Sequence, residues 1–374
     1  MSSSSTIERA AVVPLPENIQ SVQPGGGRCY AIELAWGRWR RWWLKTFRRG
    51  YVRRMAEKRR GPQNADVVSR SPDRDTPIDR RSHGDAARET FGRPDGTVGR
   101  PCHSAADSRR GPEGDVPRGA PHEILDPRDL KYCRNRCDVY WDAANDPFRW
   151  RERLPFARWG LAELQLMGWP LAAATVALGF APWPFSLVAA VPLVLLGLIV
   201  YFFRDPPRRV PSEAGVVVAP ADGKVVEIAH LEHDEFCDGP AVKIGIFLSI
   251  FNVHINRAPF ASRVIELRYS PGKFLNALKP ESAIHNENMW IGLETDERPH
   301  RRYWVRQISG AIARRIVCDL RPGESVARGH KFGMIKLGSR TELVLPAEGF
   351  EVAVQLGDRI KAGTTAVGRY VAEP

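Results

Sequence analysis

Near its C-terminal end the 374-residue chain carries a Gly338-Ser339 pair, which follows the β-type run Phe332-Gly-Met-Ile-Lys-Leu337 and precedes another at Glu342-Leu-Val-Leu345. A serine held at a sharp backbone position can attack the carbonyl of the residue before it, because nucleophile and electrophile are tethered at high effective concentration. The resulting ester can eliminate, leaving a new chain that begins with dehydroalanine. Hydrolysis of that residue gives a pyruvoyl group and ammonia. Such a carbonyl forms a Schiff base with an amine and acts as an electron sink, the part pyridoxal phosphate plays elsewhere. A Gly-Ser pair alone is ordinary turn composition, so the case rests on what surrounds it.

Other residue types capable of chemistry are few. Asp222 lies in a Pro-Ala-Asp-Gly turn between two strand-like runs, where Asp and Gly are favoured as turn formers. His254 follows an apolar run and precedes Asn256 and Arg257; a histidine beside an apolar strand is commonly a packed structural residue. The forked donors of Arg257 suit a carboxylate or a phosphate. Six cysteines are present, and the N-terminus lacks the order of basic, apolar and small-residue segments that marks a secretory signal, so no disulfide framework is expected. Cys133 and Cys137 have no second pair at zinc-finger spacing, and no metal site is expected. Gly25-Gly-Gly27 lacks the Lys-Ser/Thr that completes a phosphate-binding loop.

The elements that must position these residues divide the chain into three. Residues 1–160 are rich in Arg, Ser, Pro, Gly and Asp and are expected to be largely disordered. The exception is Trp36 to Arg60, where Trp36, Trp39, Trp42, Trp43 and Phe47 interleave with arginines as in a basic interfacial helix. A net charge of +12 calls for an anionic partner, either an anionic lipid surface or a nucleic acid. Residues 161–205 form an apolar helical hairpin broken at Pro182-Trp-Pro184. Its second arm, Phe185 to Phe203, is uncharged and about long enough to cross a hydrocarbon core. The first arm, with Gln165 and Pro170, either spans or re-enters, and a buried core hairpin is the alternative. Arginines outside both ends place the flanking segments in the cytoplasm by the positive-inside tendency. Residues 206–374 are mainly β: Gly215 to Ala219, Lys224 to Ile228, Val242 to Leu248, Ala313 to Leu320 and Glu342 to Leu345 read as strands. Gly357-Asp-Arg-Ile-Lys-Ala-Gly363 and Arg321 to Gly329 resemble the turn-strand-turn units of lipoyl and biotinyl carriers, without their presented lysine. A barrel-sandwich-like domain is therefore expected.

Four further segments, Val218-Ala-Pro-Ala-Asp-Gly-Lys224, Phe247 to Pro259 around Phe251-Asn-Val-His-Ile-Asn-Arg257, Tyr269-Ser-Pro-Gly-Lys-Phe-Leu-Asn276 and Asn286-Glu-Asn288, precede the Gly-Ser segment in order. With Phe202-Phe-Arg-Asp-Pro-Pro-Arg208, they resemble the short bacterial and archaeal branch of the phosphatidylserine decarboxylase family over roughly Leu161 to Glu373. The resemblance implies a proenzyme of the cell inner membrane, cut between Gly338 and Ser339 into a large β chain and a small α chain whose pyruvoyl cofactor derives from Ser339. The partners it implies are phosphatidylserine in the bilayer, other anionic lipids, and the two chains with each other. It further implies that Asp222 helps activate the Ser339 hydroxyl and that His254 transfers protons. Longer family members carry a second histidine where this chain has Arg257. Because Arg cannot act as an ordinary base, either His254 takes both roles or Asp222 and a water suffice. Arg257 and Asn256 are candidates for substrate binding, and Phe247, Phe251, Phe274, Trp290 and Trp304 for an apolar mouth or for core packing.

Two other readings remain. One is a pyruvoyl decarboxylase of a soluble amino acid, and the other a membrane-tethered carrier-like binding module in which Gly338-Ser339 is inert. The Arg/Trp-rich region, with Asp126 to Arg136, weakly resembles short YjiS-like bacterial proteins, and RNA binding by residues 1–150 is compatible with any of these.

Overall fold

A computed structural model describes residues 9–14, 28–60, 149–279, 281–311, 315–336 and 338–371. The expectations for Gly25 to Gly27, for Cys133 and Cys137, for Asp126 to Arg136 and for disorder between 61 and 148 lie outside the described residues. Within the N-terminal part, the basic aromatic stretch is helical as expected, in two pieces, α1 (Arg28–Phe47) and α2 (Arg49–Arg60). Trp39, Trp42, Trp43 and Phe47 of α1 are exposed. Residues 9–14, expected to be disordered, instead lie along the β domain. The N–H of Val13 donates to the Ile265 carbonyl (3.0 Å), and that of Ala10 donates to the Glu294 carboxylate (2.7 Å). Ala10, Ala11, Val12 and Val13 supply enough apolar surface and backbone pairing to hold an otherwise polar leader.

The hairpin consists of α3 (Leu161–Gly179) and α4 (Ala190–Phe202), joined through a short 3-10 turn at Phe185–Ala189. Arg158–Gly179 and Phe185–Phe202, of 22 and 18 residues, are each long and apolar enough to cross a membrane. Helix α3 runs unbroken through Pro170. Its 19 residues rise about 28 Å, close to the thickness of a hydrocarbon core. Both arms turn large apolar side chains outward, among them Trp169, Phe180, Trp183, Leu193 and Val194. Such a surface suits lipid better than water. The root of the hairpin is clamped. The Ala157 N–H donates to the Phe203 carbonyl (2.7 Å) and the Asp205 N–H to that of Pro155 (2.8 Å).

The remainder is mainly β. In chain order the strands are β1 (Val216–Val218), β2 (Gly223–Asp234), β3 (Gly239–Leu248), β4 (Ile255–Arg257), β5 (Ser262–Ser270), β6 (Asn288–Thr295), β7 (Arg302–Ile308), β8 (Ile316–Cys318), β9 (Ser325–Val326), β10 (Lys331–Ile335), β11 (Ser339–Pro346), β12 (Phe350–Val352), β13 (Arg359–Ile360) and β14 (Ala366–Tyr370). Eight form one curled, half-barrel sheet in the order β13-β2-β3-β11-β7-β6-β5-β9. Two three-stranded sheets, β1-β14-β12 and β4-β10-β8, complete the domain. The expected barrel-sandwich character is thus realised by one large curled sheet and two small ones.

Two-residue alternation sorts the side chains. On β7 and β11, Tyr303, Val305, Leu343 and Leu345 enter the core. On the other face Glu342 accepts from both Arg306 (3.0 Å) and Arg340 (2.9 Å), and Arg340 also pairs with Glu227. The Glu342 side chain is fully buried, and a buried carboxylate is tolerated only when paired in this way.

Candidate active site

Strand β11 lies between β3 and β7, with Ser339 opposite Leu248 and Arg340 opposite Ile308. Ser339 opens the strand, is fully buried, and has a hydroxyl with no hydrogen-bond partner among the described residues. The residue before it, Gly338, has φ +67°. That left-handed conformation costs an L side chain roughly 1–2 kcal/mol and glycine nothing comparable. The carbonyl of Gly338 packs against the bare Cα of Gly310, where an added Cβ would lie 2.2 Å from the carbonyl oxygen. Residue 310 is therefore restricted to glycine by the peptide bond it supports.

His254 completes this arrangement. A turn after β3 presents it: the Ser249 N–H donates to Asn252 Oδ1 (2.9 Å) and the Asn252 N–H to the Ser249 carbonyl (2.9 Å). Nδ1 of His254 lies 2.9 Å from the Asn252 carbonyl oxygen, which can only accept, so Nδ1 carries the proton. Nε2 is then a lone pair, and it accepts from the Gly338 N–H at 3.1 Å. Both contacts select the same tautomer. Burial pushes the His254 pKa down to about 4, and the charge of Arg204 acts in the same direction, so the ring is neutral at pH 7. The ring also packs on Phe202 at the end of α4, with centroids 4.6 Å apart. Lys336, two residues before Gly338, pairs with Glu163 in the first turn of α3. The hairpin thus touches both His254 and the segment leading to Ser339.

The other expected residues sit elsewhere. Asp222 is buried with both carboxylate oxygens engaged: Oδ1 accepts from the Ala362 N–H (2.8 Å) and Oδ2 from Arg208 (2.7 Å). No hydrogen bond joins it to His254 or Ser339 among the described residues. Arg257 donates to Asp205 (3.2 Å) and to the Gly329 carbonyl (3.1 Å). Asn256 lies inside the core, donating to Thr341 (3.1 Å) and accepting from Gln307 (2.9 Å). Of the candidate apolar mouth, Phe251 and Phe274 are exposed, together with Ile250, Leu278 and Ile284. Trp290 and Trp304 instead pack with Phe236 in a separate cluster around Val344, on the sheet face that carries Arg340 and Glu342. Sequence reasoning missed Gly310, Arg208 as the partner of Asp222, and Phe202 as the support of His254. Each had a partial signal: Gly310 as an isolated glycine after a strand, which marks close backbone approach, and Phe202 and Arg208 as the ends of the family-like segment Phe202 to Arg208.

A family model described as phosphatidylserine decarboxylase matches residues 195–368. A phosphatidylserine decarboxylase proenzyme of Rhodopirellula baltica is 51% identical over 243 residues, 64% of this chain and 99% of that one. The chain belongs to the phosphatidylserine decarboxylase family. Similarly named proenzymes of Chlorobium chlorochromatii (48% over 178 residues; 48% of this chain, 82% of that one) and Nitrosomonas eutropha (42% over 209 residues; 54% and 93%) are also similar. The phosphatidylserine decarboxylase family model begins within α4 and ends in β14, so it contains Asp222, His254 and Ser339 and excludes α1 and α2.

Proposed function

We propose that the chain is the proenzyme of a membrane-bound phosphatidylserine decarboxylase that cuts itself between Gly338 and Ser339 and makes phosphatidylethanolamine and carbon dioxide. The observation that carries this reading is the contact of the unprotonated Nε2 of His254 with the Gly338 N–H, beside a buried Ser339 hydroxyl that nothing else engages. His254 Nε2 takes the Ser339 hydroxyl proton as Oγ bonds to the Gly338 carbonyl carbon. The C–N bond then breaks, and the proton passes to the nitrogen released. Neutral imidazole in a water-poor site is suited to both transfers. Arg257 in place of a second histidine leaves His254 to act as base alone, and the saturated pairing of Asp222 with Arg208 and Ala362 supports a positioning role for that carboxylate.

The site fits a pyruvoyl group derived from Ser339: an unengaged buried side chain marks its position, and Gly310 leaves the preceding carbonyl free of steric load. When formed, that group supplies an electrophilic carbonyl for the headgroup amine and a sink for the electron pair left by carbon dioxide. Asn256, held by Thr341 and Gln307, and Arg257, held by Asp205, keep β4 in place beneath the site; Arg257 is the candidate to meet a headgroup anion. The exposed rim of Ile250, Phe251, Phe274, Leu278 and Ile284 suits acyl chains at a bilayer surface. In this reading residues 161–205 anchor the enzyme, residues 206–374 form the catalytic domain as paired α and β chains, and residues 1–160 are an extension. Flanking arginines, including Arg153 and Arg204, support a catalytic domain on the cytoplasmic side, and the Arg/Trp face of α1 suits anionic lipid.

Intact-mass measurement of the purified chain beside Ser339→Ala tests the proposal. Wild type should yield two fragments split after Gly338, the smaller with a blocked pyruvoyl N-terminus, and the variant should stay whole. An unbroken wild-type chain that is folded and membrane-bound would favour a carrier-like binding module instead.

A further inference from the structure

A second acid faces the cleavage site from the far side of Ser339. Strand β6 pairs Asn288 with Ile308 of β7, and β7 pairs Ile308 with Arg340 of β11. One residue on, the same registers set Glu287, Ser309 and Ser339 in a single row across the three strands. Two contacts verify the continuation: the Ser309 N–H donates to the Glu287 carbonyl (2.9 Å), and Gly310 abuts the Gly338 carbonyl. Alternation turns the row toward the core, because the next row in, Gln307 and Thr341, bonds Asn256 from that face. Residues so paired have Cβ atoms about 5 Å apart, within reach of hydroxyl and carboxyl groups after side-chain rotation or through one water.

All three residues are buried, and each carries a polar atom with no partner: Glu287 Oε1, Ser309 Oγ and Ser339 Oγ. Buried polar atoms are rarely left unpaired, and three in one row satisfy one another most directly. The row has a defined direction. At one end Nε2 of His254 can only accept. At the other, Glu287 is hydrogen-bonded by Tyr269 of β5.

We propose that Glu287 is a positioning acid for self-cleavage: its carboxyl O–H donates a hydrogen bond to Ser309 Oγ, the Ser309 hydroxyl donates to Ser339 Oγ, and the Ser339 proton is thereby aimed at His254. This rests on the self-cleavage reading above and adds the partner that orients its nucleophile. The row moves no net charge, since the proton His254 takes from Ser339 returns to the nitrogen released. Burial raises the Glu287 pKa, while Tyr269 and Arg315, the titratable and charged groups facing it, act in the opposite direction. The protonated, donating form therefore persists above the usual carboxylate range and is lost as pH rises through the raised value.

The full chain, synthesised cell-free with liposomes, can be followed to two fragments by intact mass across pH. Wild-type cleavage should slow as pH rises through the Glu287 pKa. Glu287→Gln, which keeps a donor but cannot ionise, should cleave at close to the wild-type rate on the acid side of that fall and lose the fall itself, with liposome association intact. Ser309→Ala should slow cleavage about tenfold, the effect of one hydrogen bond. An alkaline fall unchanged in Glu287→Gln, or wild-type rates in Ser309→Ala, would overturn the proposal. A wild-type chain that never breaks would sink the self-cleavage reading itself, a result distinct from either.

Discussion

Two buried polar clusters of the β domain differ in how completely they are satisfied. Around Asp222, each carboxylate oxygen has its partner, Ala362 or Arg208. Around Ser339, the hydroxyl is unengaged among the described residues, and the neighbouring His254 accepts from the Gly338 N–H through Nε2. A closed network holds a fold in one geometry, whereas loose ends at a buried site are where bonds can be remade. Both clusters contain residues that family resemblance marks as catalytic, and they differ in how far their polar atoms are paired.

The comparison is sharpest under substitution. Removing the base with His254→Ala should slow cleavage by about 10²–10⁴-fold, read as the fraction of intact chain against time. Gly310→Ala drives a methyl into the Gly338 carbonyl, and the resulting displacement should slow cleavage about 10²-fold with the fold retained by circular dichroism. Asp222→Asn should act the other way round. It leaves Arg208 without its buried partner and destabilises the domain by about 3–5 kcal/mol in denaturant titration, while folded molecules still cleave; a cleavage defect as deep as that of His254→Ala would erase the distinction.

The smallest effect is set by pH. Burial lowers the His254 pKa to about 4 from the ordinary histidine value of 6.5, so its protonated form is favoured by unfolding. Stability should decline by up to about 3 kcal/mol as pH falls from the unfolded to the folded value and level off below it. The neutral ring keeps its lone pair down to about pH 4. Cleavage in folded chains should therefore continue to that point and fail beneath it, and a failure already near pH 6 would mean that His254 is not the base.

Much of this organisation is legible in the residues. The uncharged arm from Phe185 announces itself by composition, and Val242 to Leu248 by a mostly apolar run interrupted only by Lys243. Strands β5, β6 and β7 are harder to read, because Arg302-Tyr-Trp-Val-Arg-Gln-Ile308 alternates core residues with arginines whose partners come from distant strands. Motif order singles out Ser339 and His254 as candidates, but their relation depends on a turn at Asn252 that brings His254 to Gly338, 84 residues further on. The separation of Asp222 from both could not be read, since it follows from Arg208, whose sequence context suggests only a membrane flank. The ordered stretch at 9–14 is hard to read, because so short an apolar run in a polar surrounding gives no periodic signal.

The stacking of His254 on Phe202 bears on how a water-soluble version of the enzyme would be made. The last turn of α4 belongs to the lipid-facing hairpin by composition and to the surroundings of His254 by contact. A truncation that discards all apolar residues through Phe203 would remove one wall of the base's pocket, admit water, and let the imidazole regain a more ordinary basicity. Solubilisation by exchanging the outward side chains of α3 and α4, with Phe202, Phe203 and Glu163 retained, would leave that wall standing.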